Sequence, residues 1–288
     1  MSLTSFQRAL CDLIASPSLC LAARQDPDAA FARYELSARE RRRLATVIWQ
    51  RGMSTNCTLY RSNRVTPIYT LLHYTCLALG RQFGTLIDQF WEGKDYRDGQ
   101  FNSEVERFGD FLGRRIAAGA VVSPFAGELL AFELARNALE FSPRKEVLRA
   151  LAHLPPPDAD TPCRLHPLAR LVRFRHDPTV LLGAAVRGAM PPPDLPMMEA
   201  LVVISVVDGA LTILRLADGA CCGFDDTATA PVAWPMARLV PSLADAGLLV
   251  RLTAADGGHA PGDAERPICD RQPVTAAAFG VDIRRAVR

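Results

Sequence analysis

The stretch Ala200-Leu201-Val202-Val203-Ile204-Ser205-Val206-Val207-Asp208-Gly209-Ala210-Leu211-Thr212-Ile213-Leu214-Arg215-Leu216 holds two apolar, β-branched runs on either side of an Asp-Gly pair. Runs of this length and composition predict strands over Ala200–Val207 and Leu211–Leu216. Asp208-Gly209 predicts a two-residue hairpin turn, in which both positions take positive φ. Successive side chains leave a strand on opposite faces, so Val202, Ile204 and Val206 share one side and Leu201, Val203 and Val207 the other. With both sides apolar, at least one must be covered by protein or ligand.

Outward from the hairpin, elements alternate. Leu168 to Phe174 alternates like a strand, and Pro178 to Val186 reads as a short helix. Downstream, Pro235 to Ala246 reads as a helix, Gly247 as its stop and Leu248 to Leu252 as a strand. Helix, glycine, then a short apolar strand is the passage by which a winged-helix module enters its wing. Ala254 to Gly262 has no apolar periodicity and reads as a loop.

Upstream, Leu154-Pro155-Pro156-Pro157-Asp158 removes three backbone donors in a row and favours extended chain, as in a linker. Residues 1–154 before it repeat apolar positions every three and four residues, the pattern of helices. Expected helices run from Leu3 to Ala15, through a short segment ending near Asp26-Pro27, and from a Ser37/Glu40 capping box to about Gln50. Others cover Thr66 to Leu79 with Gly80 as stop, Phe83 to Trp91, Asn102 to Ala117 and Pro124 to Glu140. The expected class is α+β: an all-α helical bundle over 1–154, then a smaller winged-helix-like domain over 155–288.

The chain has 288 residues, of which 49% are hydrophobic and 22% charged, the balance of a folded soluble protein. Its formal charge is +2. The densest basic cluster, Arg39, Arg41, Arg42 and Arg43, lies on one short amphipathic segment, where a solvated face is the simplest reading. Asp12, Asp26 and Asp28 interrupt the first thirty residues, against the pattern of a signal peptide. The longest apolar run falls far below the roughly 20 residues of a membrane span. A cytoplasmic location without membrane contact is expected. Eight scattered cysteines form no CxxC pair, and the five histidines share no metal-binding spacing. His166 and His176 could approach one another across a strand and turn, and Cys221-Cys222 read as buried or loop thiols. No nucleophile elbow, phosphate loop or dinucleotide turn is spelled out, so no catalytic residue and no metal ligand is assigned.

Tyr60-Arg61-Ser62-Asn63-Arg64, followed by Leu71-Leu72 and closed by Leu79-Gly80, resembles the signature of a bacterial family labelled "putative DNA-binding domain". Its members accompany multinuclear non-haem iron-dependent oxidative enzymes. Phe108 to Leu112 resembles the family's short phenylalanine-rich helix and Leu129 to Arg136 its "LxxLExA" helix. Leu165 to Phe174 and the Ala200–Leu216 hairpin resemble the start of its C-terminal domain. Tyr74-Thr75 stand where the family has phenylalanine-proline. Asp26-Pro27, Phe31, Tyr34, Leu36-Ser37 and Glu40-Arg41 also look like a small helical domain common in peptide natural-product pathways. Within the group, the chain looks most like partner subunits of enzymes that modify a C-terminal cysteine on a carrier peptide en route to 3-thiaglutamate.

The resemblance implies a heterodimer. The partner would hold the iron and perform the oxidation, and this chain, with no cofactor of its own, would bind a ribosomally made precursor peptide and present it. An exposed strand edge can accept an added peptide strand through its backbone groups. The hairpin and the Leu248 strand are the candidates, which makes Val202, Ile204, Val206, Leu211, Ile213 and Arg215 the expected peptide-binding residues; a buried central strand explains the same pattern. Tyr60, Arg61, Asn63 and Arg64 are expected at a helix entrance, either as a partner interface or as fixers of local geometry. The alternative function is a DNA-binding transcriptional regulator.

Overall fold

The computed structural model describes residues 3–91, 101–154, 162–216, 234–235, 243 and 246–251. Its contacts divide the chain into two compact units, Met1–Leu71 with Gly84–Phe111, and Leu72–Phe83 with Leu112–Arg288. The prolines at 155–157 lie outside the described residues.

The first unit opens with helices α1 (Leu3–Ala15), α2 (Pro17–Gln25), α3 (Pro27–Phe31) and α4 (Ala38–Val47). Each break has a local chemical cause. Ser16 and Asp26 adopt extended conformations, each accepting an amide from three residues on, with proline at the first helical position. Ser37 and Glu40 form the reciprocal capping box that their spacing predicts. Ala9, Leu13, Phe31, Leu44, Ile48 and Met53 close a core between these helices. The thiol of Cys57 donates to the Leu13 carbonyl at 3.7 Å. Helices α7 (Gln82–Trp91) and α8 (Phe101–Ala117) take the expected places, and Phe90 meets Phe108 edge-on at 5.3 Å.

Two expectations are corrected between residues 51 and 79. Helix α5 runs from Arg51 to Leu71 and carries Pro67 in its interior. Tyr60, Arg61, Asn63 and Arg64 therefore sit within a helix, not at its entrance. The sequence misled because proline is favoured at a helix start, whereas here Pro67 lies inside the helix and leaves the Asn63 carbonyl without its usual donor. The helix expected over Thr66–Leu79 is broken at Leu72, where φ −117° and ψ 41° separate α5 from α6 (His73–Leu79). Gly80 ends α6 at φ 50°, and its N–H donates to the Cys76 and Leu77 carbonyls.

In the second unit α6 packs with α9 (Ala126–Glu140), α10 (Arg144–Leu151) and α11 (Pro178–Val186) beside two antiparallel sheets. One sheet has the order β5 (Trp234–Pro235), β1 (Pro162–Leu165), β6 (Leu249–Arg251); the other is β2 (Ala169–His176), β3 (Met197–Ser205), β4 (Thr212–Arg215). The class is α+β. Pro235 pairs with Pro162 in β5 and does not open a helix; a proline fits an end strand, where no ladder donor is needed. Of the helix expected beyond it only Leu243 and Ala246 are described, and the expected loop at 254–262 lies outside the described residues.

From Ala200 to Ser205, strand β3 is buried on both faces. Ala200, Val202, Ile204 and the following Val206 join Leu129, Phe132 and Leu181 in one core. Leu201 and Val203 join Leu214, Leu243, Leu248 and Leu249 in another. Each fully buried aliphatic side chain contributes roughly 1.5–3 kcal/mol. A one-residue slip would exchange the two sets between cores of different shape, so the register Leu171–Val203–Leu214 is held from both sides.

The hairpin turn is also corrected. The last ladder pair is Ser205 with Thr212, so residues 206–211 connect the strands. Gly209 takes φ 83° and its N–H donates to the Val206 carbonyl at 3.0 Å. Asp208 keeps negative φ, since among the described residues only glycines have positive values. Arg144, at the start of α10, contacts this loop. Its guanidinium donates to the Val206 carbonyl at 3.1 Å and to the Val207 carbonyl at 2.6 Å and 3.2 Å, holding the loop.

Candidate functional site

The residues expected to contact peptide divide by side chain and backbone. Val202, Ile204, Val206 and Ile213 direct their side chains into the helix-side core, with Leu211 packed against it. Arg215 is half-buried, its guanidinium 3.6 Å from Asp177 and 3.8 Å from the Met198 sulfur. No side chain of β3 from Ala200 to Ser205 reaches the surface. Both edges of β3 are paired as well, by β2 and β4.

The ladder decides which backbone groups point outward. The Leu216 N–H donates to the Leu201 carbonyl at 2.8 Å. Hydrogen-bonded and non-hydrogen-bonded pairs alternate along an antiparallel ladder. Leu214 and Thr212 therefore face β3, and the N–H and C=O of Ile213 are directed to the other side. At the opposite end of the sheet a carboxylate takes the amides of β2. Glu128 Oε2 accepts from the Arg175 N–H at 2.8 Å and the His176 N–H at 3.1 Å, and Oε1 lies 2.6 Å from His176 Nδ1. These groups sit where the β2–β3 register shifts between Phe174 and His176.

A second buried carboxylate stands five positions along α9. Glu133 Oε1 accepts from the Tyr74 N–H at 2.8 Å; Oε2 accepts from the Thr75 N–H at 2.8 Å and its hydroxyl at 2.7 Å. Burial pushes the Glu133 carboxyl above its usual range, opposed by Arg136 and by these hydrogen bonds. A buried acid with a displaced pKa occurs both at catalytic sites and in structural networks. Here its oxygens are occupied by the start of α6, in a site with no exposed surface. Glu128 and Glu133 tie β2 and α6 to one helix. Their signal in the sequence was acidic residues on the buried stripe of Leu129 and Phe132.

The second expected cluster lies in the first unit. Arg64 pairs with the buried Glu104 through Nε at 2.9 Å and through Nη2, while Trp91 Nε1 donates to the same carboxylate at 3.1 Å and Arg107 to its other oxygen at 3.1 Å. The Arg64 guanidinium lies 4.8 Å from the Trp91 ring and 5.7 Å from the Tyr60 ring. Arg61 pairs with Asp88 and stands over Trp91 at 5.5 Å. Asn63 is exposed. Arg61 and Arg64 thus meet over Trp91, and Tyr60 joins them through Arg64. Beside it, Arg61, Val65, Thr66 and Tyr69 line a shallow groove of about 360 Å³ along α5.

Other candidate groups have local partners. His166 Nδ1 accepts from the Leu168 N–H at 3.0 Å, and burial with the nearby Arg164 lowers its pKa. Burial raises the thiols of Cys57 and Cys76, which disfavours the reactive thiolate. Among the described residues no three His, Cys, Asp or Glu side chains converge as a metal site, and no helix is long and apolar enough to cross a membrane. Cys221 and Cys222 lie outside the described residues. No family model, curated protein or solved structure matches the chain.

Proposed function

We propose that this chain is a non-catalytic subunit that takes up an extended precursor peptide along the outer edge of β4 and presents it to a multinuclear non-haem iron oxidative partner. The observation that carries the reading is the outward direction of the Ile213 backbone groups, next to the Val202–Ser205 stretch of β3, which is buried on both faces and paired on both edges. Added-strand binding needs backbone donors and acceptors held rigidly at a sheet end, with side-chain specificity supplied nearby. The Arg144 clamp on the Val206 and Val207 carbonyls supplies that rigidity. At the other end of the sheet, Glu128 already occupies the amides of Arg175 and His176, which favours β4 over β2. The likeness of Tyr60 to Gly80 and of Leu129 to Arg136 to chains that accompany iron enzymes supports the choice of partner, and the iron belongs to that partner. The α5 groove beside Arg61 suits the partner contact.

The test is co-expression with a candidate iron oxidase, co-purification, metal analysis and calorimetric titration with its precursor peptide. A micromolar complex, roughly −8 kcal/mol, is expected. Arg215→Pro, which deletes an outward donor of the same edge and leaves the Ile213 side chain in the core, should weaken peptide binding at least tenfold while the iron-bearing heterodimer still forms. A chain that purifies alone and takes no peptide overturns the reading, and a salt-sensitive complex with duplex DNA in its place would favour the regulator.

A further inference from the structure

The first unit carries a positive surface that the peptide reading leaves unused. Between Ala38 and Arg51 stand five arginines and one glutamate. The glutamate, Glu40, is committed to the capping box through the Ser37 N–H and hydroxyl. Positions 39, 42, 43 and 46 fall on one stripe of α4 at three- and four-residue spacing, and all four are exposed. Among the described residues no ion pair engages Arg39, Arg42, Arg43 or Arg51, and Arg42 donates only to the Ala38 carbonyl of its own helix. The stripe leads into Trp49, held in a turn by its N–H donating to the Thr46 carbonyl and 65% exposed.

Trp49 is not loose. Arg24 caps the end of α4 through two hydrogen bonds to the Ile48 carbonyl, at 2.9 Å and 3.1 Å, and its guanidinium lies 5.2 Å from the Trp49 ring. One side of the indole is thereby fixed over a cation while much of the ring stays open to solvent. Fixed aromatic rings beside arginines are the residue types enriched at binding hot spots. A helix face left only to water more commonly mixes both signs of charge.

We infer that this α4 face is a docking site for an acidic peptide segment of a partner protein, with its carboxylates on Arg39, Arg42 and Arg43 and an apolar side chain against Trp49. Charge complementarity selects the occupant. The arginines span roughly 6 Å of helix at 1.5 Å per residue, the reach of two or three neighbouring carboxylates. Nucleic acid repeats its charge along its whole length, whereas this chain carries a formal charge of only +2 and the patch is confined to one short helix. The inference does not rest on the β4 reading, and either can fail alone.

The test uses the full chain and fluorescence anisotropy of three labelled probes: a (Glu-Glu-Leu)4 peptide, its (Gln-Gln-Leu)4 counterpart and a dT12 oligonucleotide. The acidic peptide should bind at least tenfold tighter than the other two. Arg42→Glu/Arg43→Glu should weaken it at least tenfold and Trp49→Ala at least threefold, with circular dichroism melts unchanged. If the charge-reversed protein does not fold, Arg39→Gln/Arg43→Gln should still lower affinity at least threefold. Equal binding of the neutral peptide, tighter binding of dT12, or affinity within twofold of the parent in the folded arginine variants overturns the inference.

Discussion

Glu133→Gln changes one atom in the buried connection between α9 and α6. The carboxylate accepts three hydrogen bonds, from the Tyr74 N–H, the Thr75 N–H and the Thr75 hydroxyl. An amide of the same shape has a single acceptor oxygen. Whichever way it turns, its NH2 faces either the Tyr74 amide or the Thr75 amide and hydroxyl, so at least one backbone N–H is left without an acceptor. Glu133 and Thr75 are both fully buried, and water cannot substitute without displacing packed atoms. An orphaned buried donor costs about 1–3 kcal/mol, and the lost hydrogen bonds add about 1 kcal/mol. Removing a desolvated charge returns part of this, leaving an expected net loss of about 2 kcal/mol. Urea denaturation at neutral pH, followed by far-ultraviolet circular dichroism, measures it through the midpoint at unchanged slope. Thr75→Val removes only the hydroxyl donor and should cost about 1 kcal/mol, less in the Glu133→Gln background than alone. A loss under about 0.5 kcal/mol in Glu133→Gln would mean that the α6 amides do not depend on this carboxylate, and the reasoning fails.

Gly209→Ala should destabilise the protein by about 1–3 kcal/mol, because φ 83° strains any residue with a Cβ and the new atom would stand 3.1 Å from the Arg144 guanidinium; a thermal melt within 1 °C of the parent would contradict it. Arg64→Ala strands a buried Glu104 that keeps, among the described residues, Arg107 and Trp91, an expected loss of about 2–4 kcal/mol in the same denaturant assay. The lowered pKa of His166 means that the unfolded chain binds the proton more readily, so stability should fall as pH drops through about 6.5 toward the folded value. His166→Asn should flatten that part of the pH profile, and an unchanged slope would assign it to other groups.

Several helix ends were legible because they rest on neighbours in sequence: Ser16-Pro17 and Asp26-Pro27 mark where α1 and α2 stop, and the Ser37/Glu40 box fixes the start of α4. Hydrophobic alternation likewise assigned Val202 and Leu201 to opposite faces of one strand. What escaped depends on distant residues. Nothing local to Leu72 announces a break, since the stabilising carboxylate lies on α9. The β3–β4 loop is held by Arg144, far upstream, while Asp-Gly on its own suggested a tighter turn. Tyr60, Arg61 and Arg64 were marked as a group, but the meeting of the two arginines over Trp91, and of Arg64 with Glu104, required α7 and α8 to be placed first. For β3, the pattern showed apolar residues on both faces and was silent on what covers them.

The Glu133 contact also sets an order of events during synthesis. Residues Tyr74 and Thr75 leave the ribosome 59 and 58 positions ahead of the side chain that holds their amides. Until α9 has emerged, α6 is a seven-residue stretch with no carboxylate to start it, well short of the length at which a helix persists alone in water. A nascent chain halted before residue 133 would therefore carry this segment as exchangeable coil beside helices whose caps are already in place. The short helix is among the earlier parts of the chain to be translated and among the later ones to close.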